Sequence, residues 1–307
     1  MAESLRGGVI GAGVFGGYHA RQYARLRGVT LSAVYDPHPE RAAQVAMPLG
    51  GRAFHDLDAF FEAVDVVTIA SPATFHAEQA LAAIAAGKPV YVEKPIAISV
   101  ADAERVREAA DKQGLVVACG HQERVRFQAM GLLDVPEQPV LLEALRHGPP
   151  SGRSQDVSAV LDLMVHDLDL ALTLSTADPV TAEGEGRIGA SGSWDAARAE
   201  VSFESGFAAI FDSSRMAPER KRTMRVVFPS GEVEIDFLAG TFRNTTPFRL
   251  NADFEQTPAA KDPLGASVEG FLAAVRGEAP RPVVTAQEAI RALDLALAIE
   301  QALDEQG

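Results

Sequence analysis

Gly8-Val9-Ile10-Gly11-Ala12-Gly13-Val14-Phe15-Gly16-Gly17 decides how the rest of this chain is read. The apolar pair Val9-Ile10 enters a turn with glycine at 11, 13 and 16, and a helix-like stretch from Tyr18 to Leu26 follows. Each glycine answers a separate demand of a dinucleotide-binding turn. Gly11 permits the tight bend, Gly13 lets the backbone approach a pyrophosphate, and Gly16 lets the helix pack against the strand. The diphosphate then sits on the helix N-terminus, where N–H groups and the dipole favour an anion, so Val14 and Phe15 join the glycines as expected cofactor-binding positions. Glycine-rich turns are common, and the spacing gains weight from Asp36. That acid lies twenty residues after Gly16, at the end of the apolar run Leu31-Ser32-Ala33-Val34-Tyr35, where it can accept hydrogen bonds from the adenosine ribose.

Outward from this turn, strands alternate with helices. Val64 to Ala70 reads as a buried, β-branched strand ended by Ser71-Pro72, Thr74 to Ala86 as a helix closed by Gly87, and Pro89 to Val92 as a further strand running into Glu93-Lys94-Pro95. Asp102 to Gln113 is a helix closed by Gly114, and Leu115 to Cys119 is another strand. This alternation implies a parallel, doubly wound sheet over residues 1–119. After residue 120 the pattern changes. A helical stretch from Gln122 to Leu133, a strand at 140–146 and an apolar helix from about Val160 to Leu174 precede a strand-rich region, 180–244. Ser205-Gly206 and Ser230-Gly231 read as hairpin turns there, and helices follow at 267–275 and 286–303. The fold class is therefore α/β, with a second α+β domain over 120–307 built on an open, mostly antiparallel sheet. A broad sheet with a free face invites self-association.

Bulk composition sets limits. The 307 residues are 47% hydrophobic and 23% charged, enough for two domains with sizeable cores. A net charge of −14 argues against nucleic acid or an anionic membrane as the main partner, and no apolar run reaches membrane-spanning length. Cys119 is the only cysteine and the seven histidines lack i, i+4 pairing, so neither a disulfide nor a metal site is expected. The cytoplasm is the expected location.

Ligands of doubly wound sheets bind beyond the carboxyl ends of the strands. Asp36, Ser71-Pro72 and Glu93-Lys94 stand there. Lys94, directly after a buried strand and before Pro95, either points into the cleft to hold a substrate oxygen or is a solvated loop lysine. A second constellation is Leu161-Asp162-Leu163-Met164-Val165-His166-Asp167-Leu168-Asp169-Leu170. At 100° per residue, Asp162, His166, Asp169 and Thr173 share one stripe of an otherwise apolar helix. His166 is either a proton-transfer group oriented by Asp162 or a core histidine paired with a neighbouring acid. Arg124 and Arg153 are of a type that clamps phosphates or carboxylates, although such residues are more often solvated.

Together these residues resemble the GFO/IDH/MocA family of NAD(P)-dependent oxidoreductases, over essentially the whole chain. The resemblance rests on the glycine turn, Ser71-Pro72 with His76, Gly87-Lys88-Pro89-Val90 leading to Glu93-Lys94-Pro95, and Asp162 with His166; Ala73 stands where the family usually carries asparagine. It implies a Rossmann domain followed by an α/β domain whose open sheet makes homodimers or homotetramers. It also implies cofactor contacts from Ser71, Pro72, His76, Glu93 and Lys94, with Lys94 and His166 acting on an alcohol carbon. Three stretches further resemble the UDP-N-acetylglucosamine 3-dehydrogenase group: Gly120 to Arg124, Arg146 to Pro150 through Arg153, and Asp156-Val157-Ser158 running into 161–167. That likeness gives Arg124 and Arg153 a diphosphate to bind. The expectation is oxidation of a sugar secondary alcohol, at C3 of UDP-N-acetylglucosamine, with NAD favoured by Asp36. The alternatives are a dehydrogenase of free sugars or inositols and a non-catalytic NAD(H)-binding regulator.

Overall fold

The computed structural model describes residues 4–151, 156–175, 177–190 and 192–306. The chain divides into two compact units, residues 1–122 with 262–290, and residues 123–261 with 291–307.

The first unit holds a six-stranded parallel sheet of β1 (Leu5–Ile10), β2 (Val29–Tyr35), β3 (Arg52–Phe54), β4 (Val66–Ile69), β5 (Val90–Val92) and β6 (Val117–Cys119) in the order 3-2-1-4-5-6. Helices α1 (Val14–Arg25), α2 (Pro39–Ala46), α3 (Leu57–Glu62), α4 (His76–Ala85) and α5 (Val100–Gln113) connect the strands. Every residue of β4 is buried, as expected of a central strand covered on both faces. Local signals fix the helix ends. Asp56 accepts the Ala59 N–H and Ser99 accepts the Asp102 N–H, while Gly114 closes α5 in the left-handed conformation.

The second unit begins with α6 (Glu123–Met130) and β7 (Leu141–His147). A π-helical turn (Val160–Met164) leads into α7 (Val165–Leu174), followed by β8 (Pro179–Ile188), β9 (Trp194–Phe203), β10 (Ala208–Ser214), β11 (Lys221–Phe228), β12 (Gly231–Asp236) and β13 (Thr241–Asn244). Among the described residues these make a seven-stranded sheet, 13-12-11-7-10-9-8. β7 and β10 run parallel and the other neighbouring pairs antiparallel. The expected turn Ser205-Gly206 lies between β9 and β10, while the turn expected at Ser230-Gly231 falls one residue earlier, at Pro229-Ser230, because Gly231 already pairs with Phe228 as the first residue of β12. Alternation is strict: Leu142, Ala144 and Arg146 of β7 are buried, while Glu143, Leu145 and His147 lie on the more open face.

The final segments are α8 (Pro258–Lys261), α9 (Pro263–Val275) and α10 (Ala286–Gln306). A single division at residue 119 does not describe the compact units, because 262–290 returns to the first. Asp262 caps α9, Val268, Phe271 and Leu272 enter the first unit's core, and Tyr91 Oη lies 2.9 Å from Ser267 Oγ. The Cys119 N–H donates to the Val284 carbonyl. Burying Phe271 and Leu272 contributes roughly 1.5–3 kcal/mol each. No described helix is long and apolar enough to cross a membrane.

Candidate active site

In the first unit the glycine turn has the geometry of an anion cradle. Gly11 has φ +96°, and a Cβ there would lie 2.7 Å from the Ser71 nitrogen. A Cβ on Gly16 would lie 1.8 Å from the Gly11 carbonyl oxygen, so the helix can approach the turn this closely only with glycine at this position. A Cβ on Gly13 would meet no protein atom within 4 Å. Its lack of a side chain therefore leaves space open above the helix rather than relieving a clash within the protein. Gly13 is the N-cap of α1, makes no side-chain cap, and is followed by no acid in the first turn. The N-terminus of α1 therefore favours an anion, and the cradle fits a dinucleotide diphosphate. Val14 and Phe15 are exposed on this turn. Asp36 is buried at the end of β2; its two oxygens accept the Ala12 and His38 N–H groups, both at 2.9 Å. Each oxygen keeps lone-pair capacity for a ribose hydroxyl. A Gly16→Ala variant is expected to lose NADH binding, measured by fluorescence titration, because neither backbone segment can retreat without breaking the cradle.

At the carboxyl end of β5, Glu93 turns inward. His19 Nε2 lies 2.7 Å from Glu93 Oε1, and Gln122 Nε2 donates to the same oxygen at 3.2 Å. Burial pushes this carboxyl up, but the His19 hydrogen bond and the charges of His19, Lys94 and His76 outweigh it and hold the group below the ordinary range. Gly120 is needed here, since a Cβ would sit 2.8 Å from Glu93 Oε2. Lys94 follows, half-buried, joined to Pro95 by a cis bond. His76, the first residue of α4, is 1% exposed with its ring between the carbonyl oxygens of Ser71 and Pro95. Ser71 Oγ donates to Gln79 Oε1 at 2.6 Å, and Pro72 is exposed beside it. Glu93 and His76 therefore differ from the cofactor contacts expected of them: both are buried and bonded within the protein. His19 escaped the sequence reading. The available signal was its place three residues after Gly16, on the same inward face as Ala20 and Tyr23.

In the second unit Asp162 and His166 are both half-buried, and the simple stripe breaks up. Residues 160–164 form a π-turn in which the Val165 N–H reaches the Val160 carbonyl, so 100° per residue does not hold across Asp162. Asp169 is fully buried and bonded to Arg124, whose Nε and Nη2 donate at 2.8 and 2.7 Å. Thr173 Oγ1 donates to the Asp169 carbonyl. Arg124 is thus not an open phosphate fork; it ties α6 to α7. Arg153 lies outside the described residues. Arg146 of β7 makes a second bidentate pair, with Asp167 at 2.8 and 2.7 Å. Burial lowers the Arg146 pKa, but the charge and hydrogen bonds of Asp167 more than restore it. Its cross-strand neighbour Arg222 is lowered by burial and by Arg146, and its guanidinium stacks 4.4 Å from the Phe237 ring centroid. Glu123 balances this pair of cations; burial raises its carboxyl, and Arg222 and Arg146 together hold it low. Arg215 stands beside the π-turn. It donates to Asp195 at 2.6 Å and to the Val157 carbonyl at 2.7 Å, and its Nη1 lies 3.9 Å from Asp162 Oδ2. Sequence reading missed these partners because long-range pairing leaves no periodic trace.

Comparison with known proteins agrees with this geometry. Residues 5–121 match the GFO/IDH/MocA oxidoreductase family with its NAD-binding Rossmann fold, and residues 144–234 match the GFO/IDH/MocA C-terminal domain. The chain is 35% identical over 284 residues to UDP-N-acetylglucosamine 3-dehydrogenase of Acidithiobacillus ferrooxidans, covering 90% of each. The solved structure of that enzyme superposes with a TM-score of 0.90 at 34% identity over 98% of both chains. An inositol 2-dehydrogenase of Acidothermus cellulolyticus is 37% identical over 184 residues, 55% of this chain and 52% of that protein. The WlbA dehydrogenase of Bordetella pertussis, solved with NADH and UDP-GlcNAcA, shares the fold at a TM-score of 0.90 and 17% identity, covering 100% of this chain and 97% of that one. The open glycine cradle, the acid at the end of β2 and both matched domains converge on one assignment: the chain belongs to the GFO/IDH/MocA family and is an NAD-dependent oxidoreductase.

Proposed function

We propose that the chain oxidises the C3 hydroxyl of UDP-N-acetylglucosamine, or of a close UDP-hexosamine, to the 3-keto sugar nucleotide. The observation that carries this reading is the extent of likeness. The UDP-N-acetylglucosamine 3-dehydrogenase aligns over 90% of both chains, whereas the inositol enzyme of similar identity aligns over about half of each.

His166 takes the hydroxyl proton as general base. Lys94 donates a hydrogen bond to the same oxygen and stabilises the negative charge that develops there. Asp162 orients the histidine or holds a neighbouring hydroxyl. A bound NAD would supply the acceptor for the hydride of the alcohol carbon. One C–H and one O–H bond break, leaving a ketone, a reduced nicotinamide and a proton on His166. Asp36 favours NAD, since a 2′-phosphate would meet its carboxylate and Pro37 and His38 supply no compensating arginine. Ser71 and Pro72 border the cofactor. Glu93 and His76 support the loop that carries Lys94, Arg124 holds α7 in place, and Arg153 is the proposed diphosphate contact. The open face of the second sheet, with Arg225 paired to Glu143 and Glu232, is the proposed surface for a homodimer or homotetramer. The cytoplasm is the proposed location, with the buried, lone Cys119 reduced.

NADH formation against a panel of UDP-sugars, free sugars and polyols tests the substrate. UDP-N-acetylglucosamine is expected to be turned over. Turnover of free inositol or glucose, with none of any UDP-hexosamine, would sink the reading.

A further inference from the structure

The geometry points to His76 as a permanently charged positioning residue: an imidazolium that staples the Lys94 loop to the turn after β4. Its Nδ1 lies 2.7 Å from the Pro95 carbonyl oxygen and its Nε2 lies 2.9 Å from the Ser71 carbonyl oxygen. A carbonyl oxygen only accepts, and a neutral imidazole carries a single N–H. A neutral ring would satisfy one carbonyl and press a lone pair against the other, in a place where the side chain is 1% exposed and water cannot intervene. Doubly protonated, it donates to both.

The surrounding charges are mixed. Glu93, at the end of β5, is ionised and interacts with His76, which favours the imidazolium. Lys94 and the N-terminus of α4 oppose it, and so does burial. His19 on α1 shares the Glu93 carboxylate, and Glu78 on the first turn of α4 is exposed. Two charge-assisted hydrogen bonds to fixed backbone oxygens, with Glu93 as counter-ion, decide the balance.

The staple explains how Lys94 is held. The residue before it, Glu93, is fixed through its side chain by His19 and Gln122. The residue after it, Pro95, is fixed through its carbonyl by His76. Ser71, the other end of the staple, is anchored to α4 through Gln79. The effect on turnover rests on the role proposed for Lys94; the charge on His76 does not.

Long-range proton–nitrogen correlation spectra of the full-length protein, labelled at histidine nitrogens and recorded at pH 8 without substrate, read the charge directly. A histidine with both ring nitrogens protonated is expected whose signal is lost in His76→Gln, whatever the state of His19 beside Glu93. A wild-type spectrum with no such ring, or one that His76→Gln leaves intact, would overturn the proposal without any need for activity. In His76→Gln, kcat for the UDP-sugar is expected to fall roughly tenfold or more while NADH affinity stays within about twofold. Loss of NADH affinity in proportion to kcat would instead make His76 a cofactor contact and overturn its positioning role. A wild type that turns over no UDP-sugar fails the functional reading alone, because the nitrogen spectrum is read without substrate.

Discussion

A His166→Ala variant is expected to bind NADH as the parent does and to lose about 10²–10⁴-fold in turnover, the range associated with a positioned general base. Lys94→Ala is expected to lose about 10²–10³-fold, as when one donor to a developing oxyanion is removed. The two residues belong to different compact units, so a shared phenotype cannot arise from damage to one local fold. The cradle for the cofactor lies wholly in the first unit, and neither substitution touches its glycines. Stopped-flow hydride transfer together with NADH fluorescence titration separates the two quantities. The double variant should be little worse than the poorer single one, because groups acting on one transition state are strongly non-additive. Near-normal hydride transfer in either single variant removes that residue from the mechanism.

Arg124→Ala is expected to cost about 3–5 kcal/mol of stability, because it strands a carboxylate with almost no access to water. The side chains of Arg124 and Asp169 are only 5% and 1% exposed, so solvent cannot compensate for the missing partner. A double replacement, Arg124→Met with Asp169→Leu, should recover most of the loss, since removing both charges removes the desolvation penalty as well. Urea denaturation followed by fluorescence compares the three proteins. If the single and double variants are equally destabilised, the pair owes its importance to packing rather than to charge.

The sequence reading succeeded where a local rule has a local cause. Gly11, Gly16 and Asp36 mark a turn whose geometry depends on short-range sterics, and the hairpins around Ser205-Gly206 and, to within one residue, Ser230 follow from turn chemistry between alternating strands. It failed where the decisive contact is distant. The apolar face of α9 announces that Val268, Phe271 and Leu272 are buried but not in which unit. Arg124 looks like any surface arginine until Asp169, forty-five residues away, is folded against it. The stripe from Asp162 to Thr173 assumed a uniform helix, and one π-turn was enough to break it. His76 is the subtlest case. Its partners are backbone oxygens, which carry no side-chain signature at all.

The return of residues 262–290 to the first unit has a consequence for biosynthesis and for engineering. A ribosome releases the six parallel strands long before α9 exists, so the nascent sheet must wait through the whole second unit with Tyr91 and its neighbours lacking their final cover. A fragment that stops at residue 122 is therefore an unfinished fold. A portable NAD-binding module cut from this protein has to splice 262–290 back on, through a linker that replaces the entire intervening unit.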